Sequence, residues 1–378
     1  MLTVCLGAYT LRYLQGGAYM WMFLNWALGL RSLGCRVVWL DSVPPDAPTD
    51  RVRADATELR RRLAPYGLAK DLAVINRSDG SPPVGLEDVL DLEAAAEADL
   101  FIDLGYDLDD SVVKRFRRSA FVDIDPGFTQ TWLSLGQLDV AAHDIYFTVG
   151  ETVGQPESLI PGCGLRWLYT PPPVFLPAWP VVPAPDGAAY TTVSSWWDDL
   201  GWLEFGGTLV DNSKRGAFLP YVELPSHTTA RLELALPLTG EDDATDDRSL
   251  FTRNGWSIRQ ASEVSSTPEA HRAYIQGSRG EFSCMKRGYS LLETAWTSER
   301  TLNYLASGKP AVVEYTGHSR FLPDAEGLFR FRSLDEAARC LASAERDYER
   351  HARAARALAV EHFDATKVLT RVLDRVVK

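Results

Sequence analysis

The sequence predicts an α/β protein of two Rossmann-like, doubly wound domains, and three observations carry that prediction. Short apolar runs that stop at Gly or Asp alternate with longer helical stretches, as buried parallel strands joined by crossover helices do. The pattern starts near the N-terminus and begins afresh at Tyr190, after a Pro-rich stretch over residues 171–185 that suits a stiff linker. At 378 residues the chain is long for one domain and gives each half enough residues for its own core.

Residues 2–8 read as the first strand. A loop through Arg12, Gly16 and Gly17 leads into an apolar helix over 18–33 that Gly34 stops, and 35–40 form a second strand closed by Asp41. Ligands of such units sit beyond the carboxyl ends of the strands, and the Gly16–Gly17 pair lets backbone approach a ligand closely. No G-x-G-x-x-G follows the first strand, which disfavours a dinucleotide-binding dehydrogenase. Residues 50–68 read as a charged surface helix, 73–75 as a strand, 86–98 as a helix, and 100–104 and 120–124 as strands. The last of these runs into D-I-D-P-G-F-T-Q, which puts Asp125 at the carboxyl edge of the sheet, either capping the next helix or facing a ligand. His143 precedes a strand over 145–149, where a lone histidine either packs or serves as a general base.

In the second half, residues 190–193 read as a strand leading into an exposed loop with Ser194, Ser195, Trp196 and Trp197. Lys214 and Arg215 fall where a helix starts, 233–237 and 256–258 read as strands, and the acidic 240–247 as a solvated loop. A helix over 271–276 and a strand over 281–284 lead into T-S-E-R-T-L-N-Y-L-A-S-G-K-P, residues 297–310, with the strand 311–314 after it. Thr297 and Ser298 are N-cap types, Glu299 suits a first turn, and Gly308 and Pro310 end the helix. Such a helix leaves about four N–H groups unpaired at its positive end, and Arg300 sits there, so an anion is the natural guest. Ser333 and Glu336 form a capping-box pattern for a helix running to about 361. A last helix, capped by Asp364, carries an apolar stripe of Val368, Leu369, Val372, Leu373, Val376 and Val377.

The composition is globular: 46% hydrophobic, 24% charged, with 11 Trp. A net charge of -12 argues against nucleic acid or anionic membrane as a partner, so any anionic ligand needs a local site. The five cysteines are scattered and never form C-x-x-C, which suggests neither a disulfide framework nor a zinc site and points to a reducing, cytoplasmic setting. The apolar N-terminal segment lacks the basic start and small-residue cleavage pattern of a signal peptide, and no run of 18 apolar residues is present to insert in a membrane.

The wording L-A-S-G-K-P-A-V-V resembles the donor-binding domain of GT-B glycosyltransferases, where a helix carries A-x-x-x-G-x-P-V-V and its first turn meets the nucleotide sugar. The likeness extends more loosely over most of the chain, including H-D-I-Y-F-T-V-G-E and P-G-C-G-L-R-W, and points to a bacterial glycosyltransferase-like family. It implies two Rossmann-like domains facing a cleft: an acceptor-binding domain over 1–185, a donor-binding domain over 186–362, and a helix over 363–378 that packs back on the first domain or within its own. The implied reaction moves a sugar from a nucleoside diphosphate sugar, the co-substrate, to a small-molecule or peptidic acceptor, without a metal or other cofactor.

The same resemblance sets Lys214 and Arg215 beside the donor phosphates, with Ser298, Glu299, Arg300 and Thr301 at the helix start. Trp256, or Trp196 and Trp197, can stack on the base. In an inverting enzyme Asp125 or His143 takes the acceptor proton, whereas a retaining one needs no base. The two glutamates of the retaining pattern are replaced here by Asn303 and Ala295, and Glu293 and Glu299 are out of register, so Arg300 and Asn303 are the substitutes on offer. The rival readings are a nucleotide-sugar epimerase of the same fold and a non-catalytic nucleotide- or sugar-binding homologue.

Overall fold

The computed structural model describes residues 1–197, 202–238, 242–323 and 326–376. The chain divides into two compact units, Met1–Phe175 with Ala365–Lys378, and Leu176–Asp364.

The first unit is built on a seven-stranded parallel sheet. Its strands are β1 (Thr3–Gly7), β2 (Arg36–Val43), β3 (Leu72–Asn76), β4 (Leu100–Asp103), β5 (Ser119–Asp123), β6 (Ile145–Thr148) and β7 (Trp167–Tyr169), in the spatial order β3-β2-β1-β4-β5-β6-β7. Chain order reverses between β1 and β4, where Gly7 lies opposite Asp103, and an open parallel sheet offers a crevice at such a switch point. The helix Gly17–Ser32 is buried over most of its length because it packs on the sheet on one side and on the helix Ala365–Val376 on the other, with Ala365 and Leu369 lying over Gly29. The C-terminal helix brings Val368, Leu369, Val372 and Val376 to that contact face, all buried, while Val377 lies outside the described residues.

The second unit repeats the principle with β8 (Tyr190–Val193), the hairpin β9 (Trp202–Phe205) and β10 (Thr208–Asp211), β11 (Leu232–Leu236), β12 (Ser257–Gln260), β13 (Gly280–Ser283), β14 (Ala311–Glu314) and β15 (Leu328–Phe331). Six of these form a parallel sheet in the order β12-β11-β8-β13-β14-β15, with its reversal between β8 and β13. Its core joins Leu232, Leu234 and Leu236 with Phe218, Tyr221, Trp256, Phe282 and Phe331, where the Phe282 and Phe331 rings stack at 5.2 Å.

Several elements differ from their sequence patterns. The acidic 240–247 stretch is a helix, Asp242–Arg253, from its first described residue, because Asp247 turns inward to tie Arg215 and the Trp196 indole. Trp196 is fully buried, and only Trp197 of the expected exposed pair is exposed. The helix expected over 86–98 spans only Leu92–Ala96, capped by Asp91. The helix after Ser333 is two, Leu334–Arg346 and Tyr348–Leu358, meeting at Asp347. Only half of the expected capping box forms: the Glu336 N–H donates to the Ser333 hydroxyl, but the Glu336 carboxylate accepts from the Arg332 N–H rather than from that of Ser333. β7, β15 and the β9–β10 hairpin have no counterpart in the sequence reading.

Candidate functional site

At the switch point of the first sheet, strand-end carboxylates fold back to hold the loops above them. Asp41 accepts hydrogen bonds from the N–H groups of Thr10 and Leu11 and from the Thr10 hydroxyl, which fixes the turn Thr10–Tyr13. Asp103 accepts from the Gly105 N–H at 2.9 Å. Asp123 accepts from the Asp125 N–H, the Gln130 amide and the Thr148 hydroxyl, and Gln130 in turn accepts from the Gly127 N–H. Asp41, near the end of β2, and Asp103 and Asp123, which end β4 and β5, are therefore anchors for the loops around a cavity of about 310 Å³.

Tyr9, Arg12, Tyr13, Tyr19, Tyr106 and Asp125 line that cavity. The Tyr9 ring lies so close over Gly105 that a Cβ there would sit 1.8 Å from it, and the Tyr9 hydroxyl accepts from the Tyr106 N–H. Gly16 is covered by the Tyr13 ring, 2.4 Å from where a Cβ would stand, so Gly16 makes room for a tyrosine of this protein. Gly17 begins the following helix. Burial, then the nearby Asp125 charge, pushes the Tyr106 phenol up to about 12.

Asp125 lines the cavity. Its carbonyl accepts from the Phe128 and Thr129 N–H groups, the helix Phe128–Ser134 is capped at Gly127, and Asp125 is part of the cavity lining. His143 does not reach it. Its side chain is fully enclosed between Phe101, Phe121 and Tyr146, with Nδ1 2.6 Å from the Ala141 carbonyl and Nε2 3.4 Å from Asp103. It is a buried neighbour of Asp103, and the expectation that His143 could take an acceptor proton is corrected, because its ring is enclosed in the core.

Burial pushes the Asp41 carboxyl up to about 7 and the Asp123 carboxyl up to about 6, against the hydrogen bonds they accept. A carboxyl whose folded pKa is raised binds its proton more tightly folded than unfolded, so the stability it adds is complete below about pH 4 and is lost as pH rises through the folded pKa. Each group changes stability by up to about 1.4 kcal/mol per pH unit in that window. Melting of wild type and Asp41→Asn between pH 4 and 8 should therefore show their difference shifting steadily toward the variant as pH rises. A difference independent of pH would contradict it.

The second switch point carries cations. Arg300, in the first turn of the helix Glu299–Ala306, turns inward: Nε donates to Glu281 at 2.9 Å, Nη1 to the Val193 carbonyl at 2.9 Å and Nη2 to the Ser283 hydroxyl at 2.6 Å. It thus ties the helix start to the carboxyl ends of β8 and β13, and Glu281, fully buried, cancels its charge. Lys214 starts the helix Lys214–Phe218 and donates from Nζ to the Cys284 carbonyl. Burial, then the Arg300 charge, brings the Lys214 ammonium down to about 7, with Lys286 adding to the repulsion and Glu314 opposing it. Glu314, itself pushed up by burial, accepts from the Met285 N–H and feels Lys214 and Arg287. Lys214 and Arg287 thus face the Glu314 carboxylate at the end of β14, and Lys286, after β13, lies near Lys214.

Ser298 is the N-cap residue of the Glu299–Ala306 helix, yet its side chain makes no cap hydrogen bond. Thr301 is fully buried in the first turn and Asn303 nearly so in the second, while Glu299 is half-buried. The loop entering this helix holds Glu293 at φ 46° and Ala295 at φ 52°, two non-glycine residues in the left-handed region, where strain is concentrated at functional sites. Arg215 is spent on Asp247, with two donated hydrogen bonds of 2.7 and 2.9 Å. Trp256 sits in the core, its indole N–H donating to the Val222 carbonyl at 2.8 Å, so it is not a platform for a ligand. Lys286 and Arg287 escaped the sequence reading, although a basic pair directly after a strand was the available signal.

No protein-family model matches the chain, and no curated protein does. Solved structures do. Alr3699/HepE of Anabaena, in complex with UDP-glucose, is 13% identical, and the match covers 99% of each chain at a TM-score of 0.59. An alpha-glucosyltransferase in complex with UDP and a 13-mer DNA containing a HMU base is 11% identical over 100% of each chain, with a TM-score of 0.58. A glycosyltransferase from Rickettsia africae ESF-5 is 10% identical over 99% of this chain and 97% of its own, with a TM-score of 0.52. The two parallel sheets and their switch points are those of the GT-B fold.

Proposed function

From the GT-B fold as premise, we propose that the protein is a glycosyltransferase that moves a sugar from a nucleoside diphosphate sugar to a small-molecule acceptor. The observation that carries the reading is Lys214, which feels the charge of Arg300 in the first turn of the Glu299–Ala306 helix and that of Lys286 just after β13, while Arg287 faces the Glu314 carboxylate at the end of β14. A diphosphate asks for such a place: ammonium and guanidinium donors next to N–H groups at a helix start. Binding of UDP or UDP-glucose by two proteins of the same fold supports it.

In the proposed reaction the acceptor oxygen bonds to the anomeric carbon while the bond from that carbon to the diphosphate oxygen breaks. The electron pair leaves with the nucleoside diphosphate, whose growing charge Lys214, Lys286 and Arg287 stabilise. The hydroxyl proton passes to Asp125. Arg300 positions the helix start rather than touching the donor.

A nucleic acid, with which one structural relative is in complex, does not suit as acceptor a chain of net charge -12 whose first switch point is ringed by carboxylates. Because the fixed cations carry the leaving-group charge, turnover should survive excess EDTA; loss of activity restored by a divalent metal would contradict this. The direct test is a thermal-shift screen against uridine, thymidine, guanosine and adenosine diphosphates and their sugars. A ligand at 100 times its Kd adds about 2.7 kcal/mol to stability. A shift with none of them would sink the reading, and a shift without diphosphate release in the presence of any acceptor would favour a binding module.

A further inference from the structure

The tyrosine-lined cavity of the first unit bears on what the acceptor is, and the argument rests on the transferase reading above. Tyr9 and Tyr106 form one wall pair, with ring centroids 6.0 Å apart, and Tyr13 and Tyr19 another, at 6.0 Å and nearly perpendicular. Tyr13 is 58% exposed, a large ring left in water at the mouth of a cavity. A tyrosine offers an apolar face with a polar tip, which suits a ligand that has a C–H face and hydroxyl edges.

Charge narrows the class. Asp125 lies on the wall with Asp107 and the strand-end Asp103 and Asp123 close by, and the Asp125 charge is felt by both Tyr19 and Tyr106. A phosphate or carboxylate would meet that field, and among the described residues Arg12 is the one cation lining the cavity. A purely apolar guest would strip water from Arg12 and Asp125 without repaying it. Against an amine, Arg12 is a like charge. What remains is an uncharged ligand rich in hydroxyls. A second cavity, of about 470 Å³, shares Tyr9 and Arg12 with the first and sets Asp46, Asp55 and Asp107 against Arg51 and Arg77, so there is polar-lined room beyond one ring without a surplus of positive charge.

We propose that this pair of cavities is the acceptor site and takes an uncharged saccharide of at least two units, one sugar against the Tyr13 and Tyr106 rings with a hydroxyl donating to Asp125, the next toward Arg77. Saturation-transfer NMR on the full chain tests it, using methyl glycosides of glucose, galactose, mannose and N-acetylglucosamine, the disaccharides maltose, cellobiose, lactose and chitobiose, and glucuronate and p-nitrophenol as non-matching probes. At least one disaccharide should bind, more tightly than the methyl glycosides, and Tyr13→Ala should weaken it by at least about tenfold, some 1.4 kcal/mol, with an unchanged melting temperature. Tyr106→Ala serves as the second variant. Binding of glucuronate or p-nitrophenol alone, of no saccharide, or of a saccharide equally well by wild type and both variants would overturn it. A nucleotide shift without saccharide binding defeats this inference alone; saccharide binding without a nucleotide shift defeats the transferase reading alone.

Discussion

Arg300→Ala should destabilise the protein by about 3–5 kcal/mol, a large share of the 5–15 kcal/mol typical of a folded domain. The cause is Glu281. Its side chain is fully buried, and Arg300 is its cationic partner, at 2.9 Å. Removing the guanidinium leaves a carboxylate in the interior with its desolvation uncompensated, and also frees the Val193 carbonyl and the Ser283 hydroxyl. Removing both charges, as in Arg300→Met with Glu281→Leu, should restore most of the loss, because a buried pair replaced by apolar groups is close to neutral. Chemical denaturation of the two variants decides the matter. If Arg300 were a cation facing solvent, Arg300→Ala would change stability by no more than about 0.5 kcal/mol.

Lys214→Met should weaken nucleoside diphosphate binding by about 10- to 100-fold, the worth of a charge-assisted hydrogen bond of roughly 1.5–3 kcal/mol. The pH dependence is the sharper signature. With the folded pKa lowered to about 7 from the usual lysine value, the empty protein binds fewer protons than the unfolded chain between pH 7 and the lysine range. This group therefore adds stability as pH rises through that window and removes it as pH falls toward 7. A bound diphosphate favours the ammonium, so binding takes up a proton above pH 7 and affinity falls as pH rises. Calorimetric titration of UDP at pH 6.5 and 8.5 in buffers of different ionisation heat measures the proton uptake. Wild type should show it and Lys214→Met should not; identical behaviour would remove Lys214 from the site.

Much of the fold was legible because its signals are local. Strands β1, β4, β5 and β14 are apolar runs that end in Gly, Asp or Glu, and the Glu299–Ala306 helix is bounded by its own Ser298 and Gly308. Strands β7 and β15 were missed because Trp167–Tyr169 and Leu328–Phe331 are too short for a period to register. The acidic 240–247 stretch looked like solvated loop because nothing local reveals that Asp247 has Arg215 and Trp196 as partners, 32 and 51 residues away. Asp125 was findable from its place after a strand. Tyr9, Tyr13, Tyr19 and Tyr106 were not, since tyrosines in loops carry no periodic mark.

The sequence by itself determined the α/β alternation, the position of the helix start at Ser298 and the basic pair at the start of the Lys214–Phe218 helix, all set by backbone propensities and caps acting over a few residues. Which charges remain available to a ligand was decided only in three dimensions. Arg300 and Arg215 meet carboxylates from strands and helices far along the chain, and His143 meets Asp103 inside the first unit. The physical reason is that a side chain's charge is cancelled or exposed by neighbours the sheet topology brings together, and spacing along the chain holds no record of them.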